Sequence, residues 1–350
     1  MPTYVERDAV EVVVAAQWAR VLGSPPDSLD TNFFDAGGNS LRAARLTSAL
    51  RTAFDVELPL QVVFDAQTFR AISECLRQGT PPSARRLVTL NGQGDGIPLV
   101  LLPSGGGGVI GLQSLGDKPI NRPVHGLQAL GLNPADGAPL TRLDDMVTDF
   151  ARVMEESELP RTVHLAGYCS GGVFAYELAR VLRESGWNVV SVTLLNTSLL
   201  TPPLVLEEVI DDRLKSIARS AGLNLGPGTL DAHQVFEALR NHGVDIVEAD
   251  FTAFEARLRV FGSLWLAIVG YVPSPLDIPV RLFSTADRLD PDDLVQMSQQ
   301  VDDWTEMGLK DFRCHDVPVG HYEMLRHRAT LTAIEVSLAE LDLSVRRTEV

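Results

Sequence analysis

Cysteine, positive charge and long apolar runs are all scarce in this sequence. The 3 cysteines have no close spacing, so neither a disulfide framework nor a Cys-x-x-Cys metal site can be derived from them. The formal net charge of −16 argues against nucleic acid or an anionic membrane as a partner. The longest apolar stretches, such as 261–272, are shorter than the roughly 18 residues that a membrane span needs. We see no secretory signal in residues 1–8 and expect a cytoplasmic protein without a metal.

The first part of the chain has the pattern of a small helical domain. Apolar residues at three- and four-residue steps predict helices over 9–23, from about residue 40, and over 69–78. We place this all-α domain at residues 1–80. Residues 81–96 begin with a Pro- and Ser-containing stretch and are predicted to be a linker.

The remaining residues, 97–345, alternate between buried strands and helices. Strands are predicted at 99–102, 124–127, 163–166, 189–195 and 280–284. This order predicts a mostly parallel sheet with helices on both faces. A mostly helical insert over about 200–275 interrupts it. An apolar stripe in the insert predicts a packed helix and, as an alternative, the lining of a substrate channel; it consists of Phe254, Leu258, Phe261, Trp265 and Ile268.

The strongest chemical signal is a Gly-x-Cys-x-Gly turn between a strand and a helix. It centres on Cys169, with Gly167 and Gly171 on either side. A nucleophile in such a turn projects from the backbone, and small residues two positions before and after it relieve crowding. Ser170 does not fit the nucleophile position, because Tyr168 rather than a glycine lies two residues before it. The alternative interpretation is a buried structural cysteine.

A histidine near the C-terminus would complete the pair. His321 follows a glycine in a loop after the last apolar strand, and nucleophile first, histidine last is the order of α/β-hydrolases. Its imidazole would take and return the nucleophile's proton. Asp287 and Asn196 both follow strands and could orient His321; we favour Asp287, because a carboxylate stabilises the imidazolium.

Ser170 and Gly105 are candidates for backbone hydrogen-bond donors, and Ser40 is a candidate for covalent modification. The backbone N–H groups of Ser170 and Gly105 are predicted to form an oxyanion hole, the latter in the Gly-rich loop after an early strand. A Gly-x-Gly-x-x-Gly match in that loop lacks the acidic partner of a dinucleotide site. Ser40 follows two glycines at a helix start, where it is either an N-cap or a residue that a modifying enzyme can reach.

Together these motifs resemble a carrier–thioesterase pair of nonribosomal peptide synthetases. The stretch 33–41 is similar to the attachment motif of a peptidyl carrier domain, and 97–343 resembles the terminal thioesterase. The resemblance implies a four-helix-type carrier, an α/β-hydrolase fold with a helical lid, and covalent 4′-phosphopantetheine on Ser40. It departs from the family in having Cys169 where serine is usual. The family often has Asp at the position of Asn196.

The resemblance also implies a function and partners. The expected reaction is off-loading: the acyl chain moves from its thioester on the carrier to Cys169 and is released by hydrolysis or by cyclisation, for example to a strained lactone or lactam. Expected partners are upstream condensation and adenylation domains and a phosphopantetheinyl transferase. An editing thioesterase that clears misloaded carriers is the alternative enzyme. A carrier fused to an inactive hydrolase-like module is the alternative non-enzyme.

Overall fold

A computed structural model describes most of the chain. The described residues are 8–38, 40–54, 58, 62–77, 86–116, 119–132, 137–199, 205–226, 228–242, 251–285, 300–321 and 323–348. The chain divides into two compact units. The first comprises residues 1–85 with 233–254, and the second comprises residues 86–232 with 255–350. The helical insert predicted over 200–275 is therefore divided between the two units.

Within the first unit, the described residues up to position 77 form four helices. These are α1 (Ala9–Leu22), α2 (Ser40–Phe54), α3 (Val62–Ala66) and α4 (Phe69–Arg77). Helix α1 begins where the Asp8 carboxylate accepts a hydrogen bond from Glu11 N at 2.9 Å, and it ends at Gly23, whose φ is 90°. The predicted first, second and last helices are confirmed, whereas five-residue α3 is too short to show a helical period.

An aromatic core holds the loop that leads into α2. Trp18 of α1 meets the ring of Phe33 edge-on at 5.0 Å and the ring of Phe69 at 6.0 Å, and all three side chains are almost completely buried. Phe33 N also donates to Gln67 O at 2.7 Å. The loop before Ser40 is therefore fixed at one end by packing and backbone hydrogen bonding, which fixes where α2 begins.

The second unit is built on a seven-stranded sheet. Its strands are β1 (Leu87–Asn91), β2 (Leu99–Leu102), β3 (Val124–Leu127), β4 (Thr162–Tyr168), β5 (Asn188–Leu195), β6 (Val280–Ser284) and β7 (Phe312–Asp316). They lie in the order β1-β3-β2-β4-β5-β6-β7. Only the β1–β3 pair is antiparallel. The predicted parallel sheet is thus confirmed, with β4 and β5 at its centre.

Helices cover both faces of this sheet. The helices of the second unit are α5 (Leu143–Glu155), α6 (Gly171–Glu184), α7 (Leu206–Ser220), most of α9 (Phe251–Ile268), α10 (Gln300–Glu306) and α11 (Arg328–Thr348), with a 3₁₀ helix at Ile110–Gly116. Helix α8 (Ala232–Asn241) and the first residues of α9 belong to the first unit. The buried side chains form two apolar clusters, one including α5 and α6 and one including α11. Strands buried on both faces carry the continuous apolar runs that predicted them.

The linker prediction requires one correction. Residues 81–96 were expected to lack secondary structure, yet Leu87–Asn91 form β1 and pair with β3. Only Val88 of that strand is buried, so its sequence lacks the apolar run that marks a central strand. Edge strands face solvent on one side and carry a weaker sequence signal.

Candidate active site

The turn between β4 and α6 explains the glycine spacing around Cys169. Cys169 has a φ of 56°, an uncommon conformation for a residue with a side chain. A Cβ on Gly167 would lie 2.0 Å from Gly171 O, and one on Gly171 would lie 2.9 Å from Leu102 O and Pro103 O. Both positions require glycine, because strand, helix and the loop after β2 approach one another here. Cys169 is consequently held in a sharp turn at the carboxyl end of β4.

His321 lies at the same end of the sheet. Its ring stacks on Tyr168, the residue before Cys169, with centroids 4.6 Å apart, and the Tyr168 hydroxyl donates to His321 O at 2.8 Å. The His321 side chain is 5% exposed. The structure therefore places His321 against the residue that precedes Cys169, although Cys169 and His321 are 152 positions apart in the sequence.

Asn196 is the residue that contacts the His321 ring nitrogen Nδ1. It follows β5, has a φ of 50° and is fully buried. Its Nδ2 lies 2.5 Å from His321 Nδ1, while its Oδ1 accepts hydrogen bonds from Thr285 N at 3.0 Å and from Thr285 Oγ1 at 2.9 Å. The hydrogen bond from Cys169 N to Leu195 O, 2.9 Å long, joins the Cys169 turn to the end of β5.

Asp287, the favoured orienting residue from sequence, lies outside the described residues. Its role stays a prediction. Asn196, the alternative, is in hydrogen-bonding contact with His321. Thr285, which holds the Asn196 amide, was not identified from sequence, since a threonine after a strand carries no distinctive pattern.

Burial controls the charge of the histidine. Removal from water disfavours the charged imidazolium and lowers the pKa of His321 to about 4. The ring is therefore neutral at physiological pH. A neutral imidazole has one donor and one acceptor nitrogen, so its hydrogen-bond partners determine which nitrogen carries the proton.

The residues predicted to form an oxyanion hole lie in or near the turn that contains Cys169. Ser170 is the N-cap residue of α6, where backbone N–H groups and the helix dipole favour a negative charge. Gly105 is two residues beyond Pro103, whose carbonyl lies against Gly171. A Cβ on Gly105 would lie 2.8 Å from Trp265 Nε1 and 3.0 Å from a ring carbon of Phe261, so α9 packs directly against this loop.

Trp265 has an unusual feature that sequence analysis missed. Its side chain is 7% exposed, and its buried indole N–H has no hydrogen-bond partner among the described residues. A buried indole N–H ordinarily has one. The apolar stripe placed Trp265 on a packed helix face, but spacing alone does not reveal an unpaired donor next to Gly105.

Ser40 is the first residue of α2, as the attachment prediction requires. Gly37 has a φ of 94°, and a Cβ on Gly38 would lie 2.4 Å from Phe33 O, so both glycines are needed in the turn that precedes it. Arg42 donates to Gly37 O at 2.7 Å. The start of this 15-residue helix favours an anionic phosphodiester, so the position fits the predicted cofactor.

A serine–histidine–aspartate arrangement is buried elsewhere in the second unit. His164 Nδ1 lies 2.7 Å from Ser191 Oγ, and His164 Nε2 lies 2.8 Å from Asp342 Oδ1. Ser191 and His164 are fully buried. Arg122, also fully buried, lies 3.3 Å from Asp342 and 2.9 Å from Glu335. This network joins α11 to the sheet and is inaccessible to substrate.

The described residues contain neither a metal-site cluster nor a membrane-spanning helix. No cluster of histidine, cysteine, aspartate or glutamate side chains there has the arrangement of a metal site. No helix in the same residues is both long and apolar enough to cross a membrane.

Comparison with protein families assigns both parts of the chain. Residues 97–338 match the thioesterase domain, and residues 12–76 match the phosphopantetheine attachment site. The chain therefore belongs to the thioesterase domain family. Its N-terminal domain is a carrier of covalent 4′-phosphopantetheine, and its relatives are nonribosomal peptide synthetases.

Two curated relatives illustrate the similarity. A dimodular nonribosomal peptide synthase of Bacillus subtilis is 31% identical over 253 residues, which are 70% of this chain and 11% of that protein. Indigoidine synthase of Dickeya dadantii is 32% identical over 225 residues, which are 64% of this chain and 14% of that protein. The chain thus spans only a small part of the length of these relatives.

Solved structures confirm the predicted fold class. A holo four-domain nonribosomal peptide synthetase bound to AMP and glycine aligns with a TM-score of 0.62 at 22% identity, covering 97% of this chain and 27% of that one. The Vlm2 thioesterase domain bound with a dodecadepsipeptide aligns with a TM-score of 0.54 at 22% identity, covering 73% of this chain and 96% of that one. The fold is a helical carrier domain followed by an α/β-hydrolase.

Proposed function

We propose that this chain off-loads a peptidyl or related acyl group from its own carrier domain through a covalent adduct on Cys169. The observation that carries the proposal is the nucleophile turn, where Cys169 adjoins the residue on which His321 stacks. Attached 4′-phosphopantetheine supplies the thiol that holds the acyl chain as a thioester. We propose Ser40 as its attachment point, which the helix start and the two preceding glycines support.

The residues of the turn account for acyl transfer. Cys169 Sγ attacks the thioester carbonyl, and the carbonyl oxygen gains negative charge. The backbone N–H groups of Ser170 and Gly105 would stabilise that charge, as an oxyanion hole does. The N-terminal end of α6 favours the anionic form of the attacking sulphur. Collapse of the adduct expels the original thiolate and leaves the acyl chain on Cys169.

We further propose that Asn196, the alternative to Asp287, contributes to positioning His321. The hydrogen bond between Asn196 and the imidazole supports this choice, and Thr285 holds the amide from the other side. Asn196→Ala should therefore reduce turnover more than Asp287→Ala does. A larger loss for Asp287→Ala would return the positioning role to the carboxylate.

Sulphur at the nucleophile keeps the acyl group activated. An acyl-cysteine is a thioester, whereas an acyl-serine is a less reactive oxoester. We propose that this activation serves a demanding release, such as closing a strained lactone or lactam, with hydrolysis as the simpler outcome. The alternative is an editing thioesterase that hydrolyses misloaded carriers. The carrier domain in the same chain favours off-loading, because an editing enzyme works on carriers of other chains.

Transfer from Ser40 to Cys169 can be tested with a synthetic acyl-pantetheine. A phosphopantetheinyl transferase would load it from the corresponding coenzyme A derivative, and mass spectrometry of peptides would locate the acyl group. We expect the acyl mass to appear first on Ser40 and then on Cys169. Cys169→Ala should retain it on Ser40, and Ser40→Ala should acquire none. A wild-type chain that never acylates Cys169 would refute the proposal.

The cellular setting is also proposed. Upstream condensation and adenylation domains would supply the acyl chain. We place this chain in the cytoplasm, where the phosphopantetheinyl transferase would modify it.

A further inference from the structure

Tyr168 has a backbone position that the sheet fixes. It is the last residue of β4, where it pairs with Leu195 of β5, and its side chain packs against the apolar cluster that includes α11. The next residue, Cys169, begins the sharp turn and donates its N–H to Leu195 O at 2.9 Å. The Tyr168 ring is therefore a firm support immediately beside the proposed nucleophile.

The Tyr168 side chain contacts His321 through two different groups. The centroids of the two rings are 4.6 Å apart and their planes are inclined by 25°, so the imidazole lies on the face of the phenol ring. The Tyr168 hydroxyl donates to the backbone carbonyl oxygen of His321 at 2.8 Å. The ring thus constrains the imidazole, and the hydroxyl constrains the backbone that carries it.

A hydrogen bond at Nδ1 does not by itself fix the plane of an imidazole. The torsion that sets the ring plane of a histidine has only broad preferences, so a contact at one ring atom leaves the ring able to tilt. In this site that contact is with Asn196 Nδ2, 2.5 Å from His321 Nδ1. A tilt changes the direction in which the other ring nitrogen, Nε2, points. A stacked aromatic face resists the tilt, whichever side chain contacts Nδ1, because tilting separates the two rings.

We propose that Tyr168 is a positioning residue: its ring fixes the plane of the His321 imidazole and its hydroxyl fixes the His321 backbone, so that Nε2 is aimed at the sulphur of Cys169. The inference rests on the proposed function of Cys169. In this role Tyr168 acts on the reaction through His321.

The proposed reaction uses the direction of Nε2 twice. In acylation, His321 Nε2 accepts the thiol proton of Cys169 as the new C–S bond forms, and the proton passes to the departing thiolate, which leaves with the electron pair of the old C–S bond. In release, Nε2 accepts the proton of the attacking water or alcohol and returns it to Cys169 Sγ as that C–S bond breaks. A misplacement of about 1 Å in such a site can cost on the order of 100-fold in rate.

The stacked ring also suits the charge that His321 gains in these steps. Burial disfavours the imidazolium and lowers the pKa of His321. The face of a tyrosine ring carries negative charge density and attracts a cation in contact with it. Tyr168 therefore offsets part of the hydration that the imidazolium loses.

Two substitutions separate the ring from the hydroxyl. Tyr168→Phe keeps the ring and should slow acylation of Cys169 by about 2–10-fold, which corresponds to the net contribution of one hydrogen bond. Tyr168→Leu removes ring and hydroxyl and should slow it by on the order of 100-fold. Tyr176→Phe is the matched control. The Tyr176 hydroxyl donates to Ser274 O at 2.8 Å and accepts from Leu276 N at 3.1 Å, so its loss should affect stability and not acylation.

Acylation can be measured on the full chain with a soluble probe, the N-acetylcysteamine thioester of an N-acetylated dipeptide. Mass spectrometry after rapid mixing gives the rate at which acyl-Cys169 forms at each thioester concentration. We expect Tyr168→Leu to lower the maximal rate and to change the half-saturating concentration by less than about 2-fold. An effect confined to the half-saturating concentration would make Tyr168 a substrate-binding residue and overturn the proposal.

Nuclear magnetic resonance tests the stacking without a variant and without acyl transfer. A proton over the face of an aromatic ring is shifted upfield, so the ring protons of His321 in the wild-type chain should lie upfield of those of the exposed His242. The shift should persist in Tyr168→Phe and disappear in Tyr168→Leu. Its absence from the wild type overturns the proposal, as does acylation of Tyr168→Leu at the wild-type rate. A wild-type chain that shows the shift but never acylates Cys169 refutes the proposed function instead.

Discussion

At the scale of single residues, the candidate site depends on which side chain faces His321. Sequence motifs identified Cys169 and His321, because each occupies a turn or loop with distinctive neighbours. They favoured Asp287 over Asn196 because a carboxylate stabilises the imidazolium, although both residues follow strands of the parallel sheet. That choice depends on hydrogen bonds such as those of Thr285, which no local pattern records.

The protonation of His321 gives a prediction at this scale. Burial lowers its pKa to about 4, below the ordinary value of about 6.5, so the neutral ring persists as the pH falls from 8 to 5. Nuclear magnetic resonance of the ring protons should show no titration of His321 in that range. A midpoint near pH 6.5 would mean that water reaches the ring or that an anion faces it.

At the scale of elements, the inner strands of the sheet were easier to predict than its two edge strands. The strands β2 to β6 are buried on most positions and read as apolar runs, and each was predicted. The edge strands β1 and β7 have mostly intermediate or exposed residues and were missed. Helix α9 was predicted as a packed stripe, but its approach to the Gly105 loop depends on tertiary packing, which helical spacing does not contain.

The packing of α9 against the loop that contains Gly105 leaves little room for a side chain at this position. Gly105→Ala would place a methyl group 2.8 Å from Trp265 Nε1 and 3.0 Å from the Phe261 ring, so the loop or α9 must shift. We expect slower acylation of Cys169, measured by mass spectrometry after rapid mixing. Gly106→Ala is the matched control, since a Cβ there has no atom within 4 Å. Equal effects of the two changes would show that α9 does not constrain the loop.

The attachment of α11 to the sheet gives a second prediction for elements. Arg122 is fully buried against Glu335 and Asp342, and removing one member of a buried ion pair typically costs about 3–5 kcal/mol. Arg122→Met should lower the free energy of unfolding by about that amount in urea titrations. Arg142→Met removes an exposed arginine that pairs with Asp144, and should change it by less than about 0.5 kcal/mol. A small effect of Arg122→Met would show that the network is not structural.

At the scale of the whole molecule, buried histidines connect stability to pH. Burial lowers the pKa of both His164 and His321 in the folded chain. In the unfolded chain these two histidines take up protons near pH 6.5, whereas in the folded chain they do so only at a lower pH. The unfolded state therefore binds more protons in this interval, and the free energy of unfolding must fall as the pH decreases below about 6.5.

Acid sensitivity can be measured directly. Between pH 7.5 and 5.5 the urea midpoint should decrease. The free energy of unfolding should fall by up to about 1.4 kcal/mol for each such histidine at one pH unit below its pKa in the unfolded chain. Calorimetric unfolding in two buffers of different ionisation enthalpy should also reveal proton uptake. Constant stability across this interval would mean that these histidines are protonated in the folded state.

The buried Ser191, His164 and Asp342 have a practical consequence for recognising hydrolases. A geometric template search would retrieve this trio, with its contacts of 2.7 and 2.8 Å, in preference to a site that lacks a nucleophilic serine. Fluorophosphonate probes, which report reactive serines, should not label Ser191, because it is fully buried. Chemoproteomic surveys based on serine reactivity would therefore not detect this chain through Ser191, whereas electrophiles directed at thiols would detect it if Cys169 is the nucleophile proposed above.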